Sequence, residues 1–174
     1  MMNIHQLKKT FYKTLFPPKF ENERIQTLYN FVSQNENKVE HWEIDGLLSQ
    51  FINIIKIYNE TDIEYFFKTI NLWNSYYLVI ISDKFLDPLV KANITYDFGN
   101  IYAKIFLAYE NLDSYFLIDN LEIAVTMYNS KLDKDTLVNV ADKIKLLYEK
   151  KLITKQQFDY NMAFIKNLTD ALPD

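Results

Sequence analysis

Apolar residues along this chain recur at the spacing that places them on one face of an α-helix. The first set follows Pro17 and Pro18, which end any helix formed by residues 4–16 because proline lacks the backbone N–H. Its members have the i, i+3, i+4, i+7 spacing of an amphipathic helix. They are Ile25, Leu28, Tyr29 and Val32. We therefore predict a helix that buries these four side chains.

The same periodicity predicts most of the remaining helices. Residues 62–82 are apolar on several faces, so we expect this segment to be the most buried helix. Two capping boxes, Thr61 with Glu64 and Thr154 with Gln157, mark helix starts, and Asp133 is typical of another N-cap. A short helical turn is expected over 86–92. The other predicted helices cover 44–58, 98–110, 112–130, 133–148 and 154–168.

These segments are joined by short connections, and the β-rich run 77–81 lies inside a helical pattern. The prediction is an all-α fold: an antiparallel multi-helix bundle or a short stack of helical hairpins, with about six to eight helices. Residues 1–20 contain four lysines and no acidic residue, so we read them as a basic N-terminal segment. Residues 21–174 are then expected to form a single helical domain.

Several kinds of active site lack their essential residues. The chain has no Cys, two Gly, two His and one Arg. Thiol catalysis and cysteine-based zinc sites are therefore excluded, and so are the glycine-rich loops that bind phosphate and dinucleotides. Neither His follows a Glu-x-x spacing, which excludes the di-iron bundle motif. We expect no cofactor and no metal.

Nucleic acid and membranes are also disfavoured as partners. Arg24 is the only residue able to donate the planar fork that recognises phosphates and bases. Residues 21–130 carry a net charge of −9, which favours a cationic partner. The most apolar window, 70–81, is far shorter than the roughly 20 residues that span a bilayer. The N-terminus is not typical of a signal peptide, so a cytoplasmic location is expected.

Acidic residues recur at helical spacing and leave one catalytic alternative open. Asp83 with Asp87, Glu110 with Asp113, and Asp119 with Glu122 would each share a helix face. Such pairs could hold Mg²⁺ or act as acid and base if one carboxylate were desolvated. A metal-dependent hydrolase is therefore the weaker alternative, and helix capping is the competing interpretation for Asp83, Asp87 and Asp113.

Two acidic segments carry aromatic residues typical of protein interfaces. Interface hot spots favour Trp and Tyr, so either ring in these segments could anchor a partner. In the first segment the alternative is that Trp42 packs inward while the acids complement a helix dipole. The predicted partner-binding residues are Glu40, Trp42, Glu43, Asp45, Asp113, Tyr115, Asp119 and Glu122.

The composition favours a non-catalytic protein-binding module with a basic protein as its partner. Being small, acidic and free of catalytic motifs, the chain is similar to the bacterial immunity proteins that neutralise antibacterial toxins. That resemblance implies an inhibitor that caps a basic toxin or enzyme through an acidic, aromatic face. The alternative is a helical bundle whose many Phe, Tyr and Ile residues line a site for a small molecule or lipid.

Overall fold

The computed structural model describes residues 17–108 and 114–172. These residues form α-helices, 3₁₀-helices and turns, with no β-strand among them, which confirms the all-α prediction. Ten α-helices occur there, slightly more than the six to eight expected, because two predicted long helices are each divided. The chain separates into two compact units after Lys84.

From residue 17 onward, the first unit is built from four α-helices and two short 3₁₀-helices. The first helix packs against the second and third. In chain order the elements are α1 (Glu23–Asn35), a 3₁₀-helix (Glu36–His41), α2 (Leu47–Ile55), α3 (Glu60–Thr69), a second 3₁₀-helix (Ile70–Leu72) and α4 (Ser75–Phe85).

Helix α3 starts two residues earlier than its predicted capping box. Asn59 is the N-cap: its side chain accepts from the backbone N–H of Asp62 at 3.0 Å, and Asp62 accepts from the backbone N–H of Asn59 at 3.0 Å. The Thr61–Glu64 box is therefore wrong. Asn is a stronger N-cap than Thr, and both residues of this box are in the correct register to satisfy each other.

The prediction of a single helix over 62–82 is also wrong, because the helical backbone is interrupted at Trp73. The backbone of Trp73 is extended, with ψ of 151°, and the Asn74 side chain accepts from the backbone N–H of Tyr76 at 3.0 Å. This turn directs the Trp73 indole into the core of the first unit. Its ring lies 5.2–5.5 Å from the rings of Phe20, Tyr29 and Phe66.

The described residues of the second unit form six α-helices. Helix α6 packs against α8 and α9, and α10 packs against α9 and contacts α7. The elements are α5 (Pro88–Asn93), α6 (Phe98–Ala108), α7 (Ser114–Asp119), α8 (Leu121–Met127), α9 (Lys134–Glu149) and α10 (Lys155–Asp170).

The starts of α9 and α10 confirm the sequence predictions. Asp133 accepts from the backbone N–H of Thr136 at 2.6 Å, and Thr154 forms the expected capping box with Gln157. The predicted helix over 112–130 is instead divided at Asn120, whose ψ of 1° departs from helical geometry. The predicted inward stripe of α9 is buried at Leu137, Val140, Ile144 and Leu147. Ala141 is half-buried, and Tyr148, which was also expected to face inward, is exposed.

Aromatic side chains fill much of the second core. Phe98 stacks on Phe85 with ring centroids 3.5 Å apart, and its edge meets the rings of Tyr102 and Tyr128. Both tyrosine hydroxyls donate to buried carbonyls, Tyr102 to Leu117 and Tyr128 to Phe85. These four rings therefore contribute apolar volume to this core, and both tyrosine hydroxyls are hydrogen-bonded.

Within the described ranges, every helix is too short or too polar to cross a lipid bilayer.

Replacing either glycine with alanine should lower the stability of the protein, and the two costs should differ. Gly99→Ala is expected to destabilise the protein by about 1–3 kcal/mol, because a β-carbon there would lie 2.9 Å from the Ala124 carbonyl oxygen and closer still to Ser130. Gly46→Ala meets no atom within 4 Å but must keep a φ of +69°, so about 1 kcal/mol is expected. Urea denaturation of both variants measures the difference, and an equal or reversed cost would contradict the close packing at Gly99.

Candidate protein-binding surface

Trp42 lies inside the first unit and cannot be an exposed anchor. Its side chain is 1% exposed, and its indole N–H donates to the Asn35 carbonyl at 3.2 Å. The ring packs 5.1 Å from that of Phe31 and 5.5 Å from that of Phe51, with the Lys84 ammonium 5.8 Å away. The inward-packing alternative is therefore the correct one for Trp42.

The exposed apolar side chain of this segment is Ile44, and not Trp42 as one interpretation of the sequence expected. The helix predicted to begin near Ile44 begins at Leu47, after Gly46 adopts the left-handed conformation with φ of 69°. Ile44 thus precedes the helix, and its side chain is 83% exposed. The sequence does contain an indication of this later helix start. The Asp45-Gly46 pair is typical of a turn and argues against extending the helix back to Ile44.

The acids beside Ile44 are all on the surface. Glu40, Glu43 and Asp45 are exposed, and among the described residues none of the three forms an ion pair. We call residues 40–46 the acidic turn. Its backbone is held by the Asp45 N–H, which donates to the His41 carbonyl at 2.9 Å.

Part of the second predicted acidic segment forms a distinct surface in the second unit. Asp119 accepts from the Gln157 side-chain amide at 2.8 Å, and Glu122 accepts from the Tyr160 hydroxyl. We call Asp119, Glu122, Gln157 and Tyr160 the tyrosine–carboxylate surface. Asp113 and the side chain of Tyr115, which were also predicted here, fall outside the described part of the chain.

Tyr160 supplies the exposed ring that was expected from Tyr115. It is 60% exposed, and its hydrogen bond to Glu122, followed by the negative charge of that carboxylate, raises the pKa of the phenol. Neither Asp119 nor Glu122 forms an ion pair with any described lysine or arginine. The carboxylates therefore remain available to an incoming cation.

Gln157 links the capping box at the start of α10 to the tyrosine–carboxylate surface. Its side-chain carbonyl oxygen accepts from the Thr154 N–H at 2.9 Å in the capping box, while its amide nitrogen donates to Asp119. The capping box thereby sets the start of α10, and Tyr160 follows three residues later on the same side of the helix. The capping box was visible in the sequence, whereas the contact between Tyr160 and Glu122 joins residues 38 positions apart.

The other carboxylates singled out by spacing have structural roles. Asp83 pairs with Lys84 at 3.1 Å, and Asp87 caps α5 by accepting from the Leu89 N–H at 2.7 Å. The Glu110–Asp113 pair lies outside the described residues. In the ranges that the structure covers, no three His, Asp or Glu side chains converge in a way that could hold a metal ion.

Asp62 is buried, and its perturbed pKa is explained by helix capping. Burial raises the pKa of this carboxyl, but hydrogen bonds from Asn22, the Asn59 backbone and Arg24 outweigh burial and lower it. The Arg24 contact is an ion pair of 2.7 Å. These four residues join the starts of α1 and α3, so the group stabilises the fold and offers no open site for a substrate.

Three surface hollows are relevant to the small-molecule alternative. The largest of the three, about 760 Å³, is lined between Pro17 and Asn30 by polar residues, two prolines and a single aromatic residue, Phe20. A second, about 410 Å³, lies between Leu107 and the α9 residues from Asn139 to Leu146. The third, about 300 Å³, includes Lys91, Asp97 and Tyr128. All three open to solvent, and none has the predominantly aromatic lining that the alternative requires.

Comparison with known proteins adds no relative. No protein-family model, no curated protein and no solved structure matches the chain.

Proposed function

We propose that this protein is a non-catalytic binding module whose tyrosine–carboxylate surface engages a basic protein. The observation that carries the proposal is Tyr160, an exposed ring held beside Glu122 by its own hydroxyl group. An ordered aromatic side chain loses little conformational freedom when a partner covers it. Tyrosine is also among the residues that contribute most to binding energy at interfaces.

The charge around Tyr160 indicates the chemistry of the partner. Asp119 and Glu122 lie on this surface, and neither forms an ion pair with a described lysine or arginine. An arginine or lysine side chain of a partner could lie over the Tyr160 ring while its charge faces Glu122 and Asp119. Arginine is the better fit, because its planar group stacks on rings and pairs with carboxylates at the same time.

The acidic turn supports the same function from the first unit. Ile44 is an exposed apolar side chain between Glu43 and Asp45, which suits an apolar contact with a positively charged rim. An inhibitor of the immunity-protein class, capping a basic toxin or enzyme, would use surfaces of this kind. Opposite charge would speed the encounter, and the buried ring would slow dissociation.

Affinity capture from the source cells, followed by binding measurements on the captured protein, tests the proposal. The captured protein should be basic, and Tyr160→Ala should weaken its binding by about tenfold or more, mainly through faster dissociation. Glu122→Gln should mainly slow association, and raising salt from about 50 to about 500 mM should slow association of the wild-type protein.

The matched control is Tyr76→Ala, because Tyr76 is also an exposed tyrosine but belongs to α4 of the first unit and is not part of the tyrosine–carboxylate surface. It should bind like the wild-type protein. Circular dichroism should show that Tyr160→Ala keeps its helices. Equal affinities for the Tyr160 and Tyr76 variants, or association that is indifferent to salt, would contradict the proposal.

A further inference from the structure

The second unit carries two stretches of equal length and opposite charge. Residues 110–122 have a net charge of −4, from four acids and no bases. Residues 143–155 have a net charge of +4, from five lysines and Glu149. The acidic stretch includes the carboxylates of the tyrosine–carboxylate surface. The basic stretch covers the last two turns of α9, the turn that follows it and the first residue of α10.

The turn between α9 and α10, residues 150–154, presents apolar groups beside its lysines. Tyr148 stacks on Phe158 with ring centroids 4.6 Å apart, and both Tyr148 and Leu152 are exposed. Lys151 adopts a φ of 56°, and its N–H donates to the Tyr148 carbonyl at 2.9 Å. We call Tyr148, Lys151, Leu152 and Phe158 the hairpin tip.

Lys151 is the central positive charge of the hairpin tip. Lys145 and Lys155 are already paired with Asp142 and Asp159, at 2.9 and 2.7 Å. Lys151 is exposed and forms no ion pair with any described residue. Its charge is therefore available to a carboxylate on another molecule, next to the apolar surface of Leu152.

Helix α10 separates the hairpin tip from the tyrosine–carboxylate surface. Gln157 and Tyr160 face α7 and α8, whereas Phe158 faces α9. At 100° per residue, Phe158 and Tyr160 point roughly 160° apart around the helix axis. The two surfaces thus occupy opposite flanks of α10, where they face different directions.

We propose that the hairpin tip of one molecule docks on the tyrosine–carboxylate surface of a second copy. Complementary charge brings Lys151 to Glu122 and Asp119, and the exposed rings and Leu152 provide apolar contact. Because the two surfaces differ, the contact is head-to-tail, and association continues as concentration rises instead of stopping at a dimer. This association needs no other protein, and a basic partner bound at Tyr160 would compete with it.

Sedimentation of the full chain at rising concentration tests this association. The average mass should increase between about 10 μM and 1 mM protein at 0.01 M salt, where the Debye length is about 30 Å, and stay monomeric at 1 M, where it is about 3 Å. Lys151→Glu and Glu122→Lys should each weaken association by about tenfold or more. Lys166→Glu, an exposed charge reversal on α10 outside both surfaces, should associate like the wild-type protein.

Mixing the two charge-reversed variants gives the decisive measurement. The Lys151→Glu copy keeps an acidic surface and the Glu122→Lys copy keeps a basic tip, so an equimolar mixture should associate more strongly than either variant alone. A wild-type protein that stays monomeric throughout, a Lys151→Glu variant that associates normally, or a mixture that stays monomeric would each overturn the inference. Lys151→Glu should leave the proposed binding of a basic partner intact, which separates the two proposals.

Discussion

Trp42→Ala is expected to destabilise the first unit by about 3–5 kcal/mol, the range for removing a large aromatic side chain from a core. The side chain is 1% exposed and fills the space between the rings of Phe31 and Phe51. Its removal would leave a cavity and would remove the hydrogen bond that the indole N–H donates to the Asn35 carbonyl. The free energy of unfolding in urea measures the effect.

Two matched variants make the Trp42 result specific. Ile44→Ala lies two residues away on an exposed side chain, so its cost should stay within about 0.5 kcal/mol. Trp42→Phe keeps a ring in the core but removes the indole N–H, and it should fall between the two. A large cost for Ile44→Ala together with a small one for Trp42→Ala would show that Trp42 is the exposed residue after all.

Asp62→Ala is the second substitution with a large expected effect, about 2–4 kcal/mol. The carboxylate accepts from the Asn22 amide at 2.8 Å, the Arg24 guanidinium at 2.7 Å and the Asn59 N–H at 3.0 Å. Alanine would remove a buried acceptor shared by three donors, of which Arg24 keeps its hydrogen bond to the Ile57 carbonyl, and would remove half of the capping box of α3. Urea denaturation at neutral pH gives the cost.

The pH dependence of stability provides an independent check on Asp62. The folded state lowers the pKa of this carboxyl below its unfolded value of about 3.9, so its contribution to stability is complete above that pH and is lost as pH falls through the folded pKa. Between pH 5 and pH 2, the wild-type protein should lose more stability than Asp62→Asn, because the variant has no charge to lose. Parallel pH profiles would contradict the lowered pKa. Glu64→Gln, an exposed carboxylate on the same helix, should follow the wild-type profile.

Two helix caps and most of the buried stripe of α9 were predictable because they depend on residues close in sequence. Asp133 and the Thr154–Gln157 box act within one helical turn, and the stripe of α9 needs only a 3.6-residue period. The helix breaks were not predictable from periodicity, since apolar residues continue through Trp73 and across Asn120. At Trp73, extended backbone lets the indole reach the core, and tertiary packing outweighed local helical pattern.

For the candidate surface, the exposure of the acidic residues could be predicted from the sequence. Which apolar residue is exposed beside them could not. Glu40, Glu43 and Asp45 are on the surface, yet Trp42 is buried and Ile44 is exposed. Which of two neighbouring apolar residues points inward depends on the left-handed turn at Gly46 and on the space between Phe31 and Phe51.

The sequence alone determined that this chain is helical, where several helices begin, and which catalytic chemistries lack their atoms. Only the tertiary structure decided which ring stands beside the carboxylates, because Tyr160 and Glu122 are 38 residues apart and meet through the packing of separate helices. Periodicity and capping are short-range consequences of backbone geometry, whereas a surface is assembled from residues that only folding brings together.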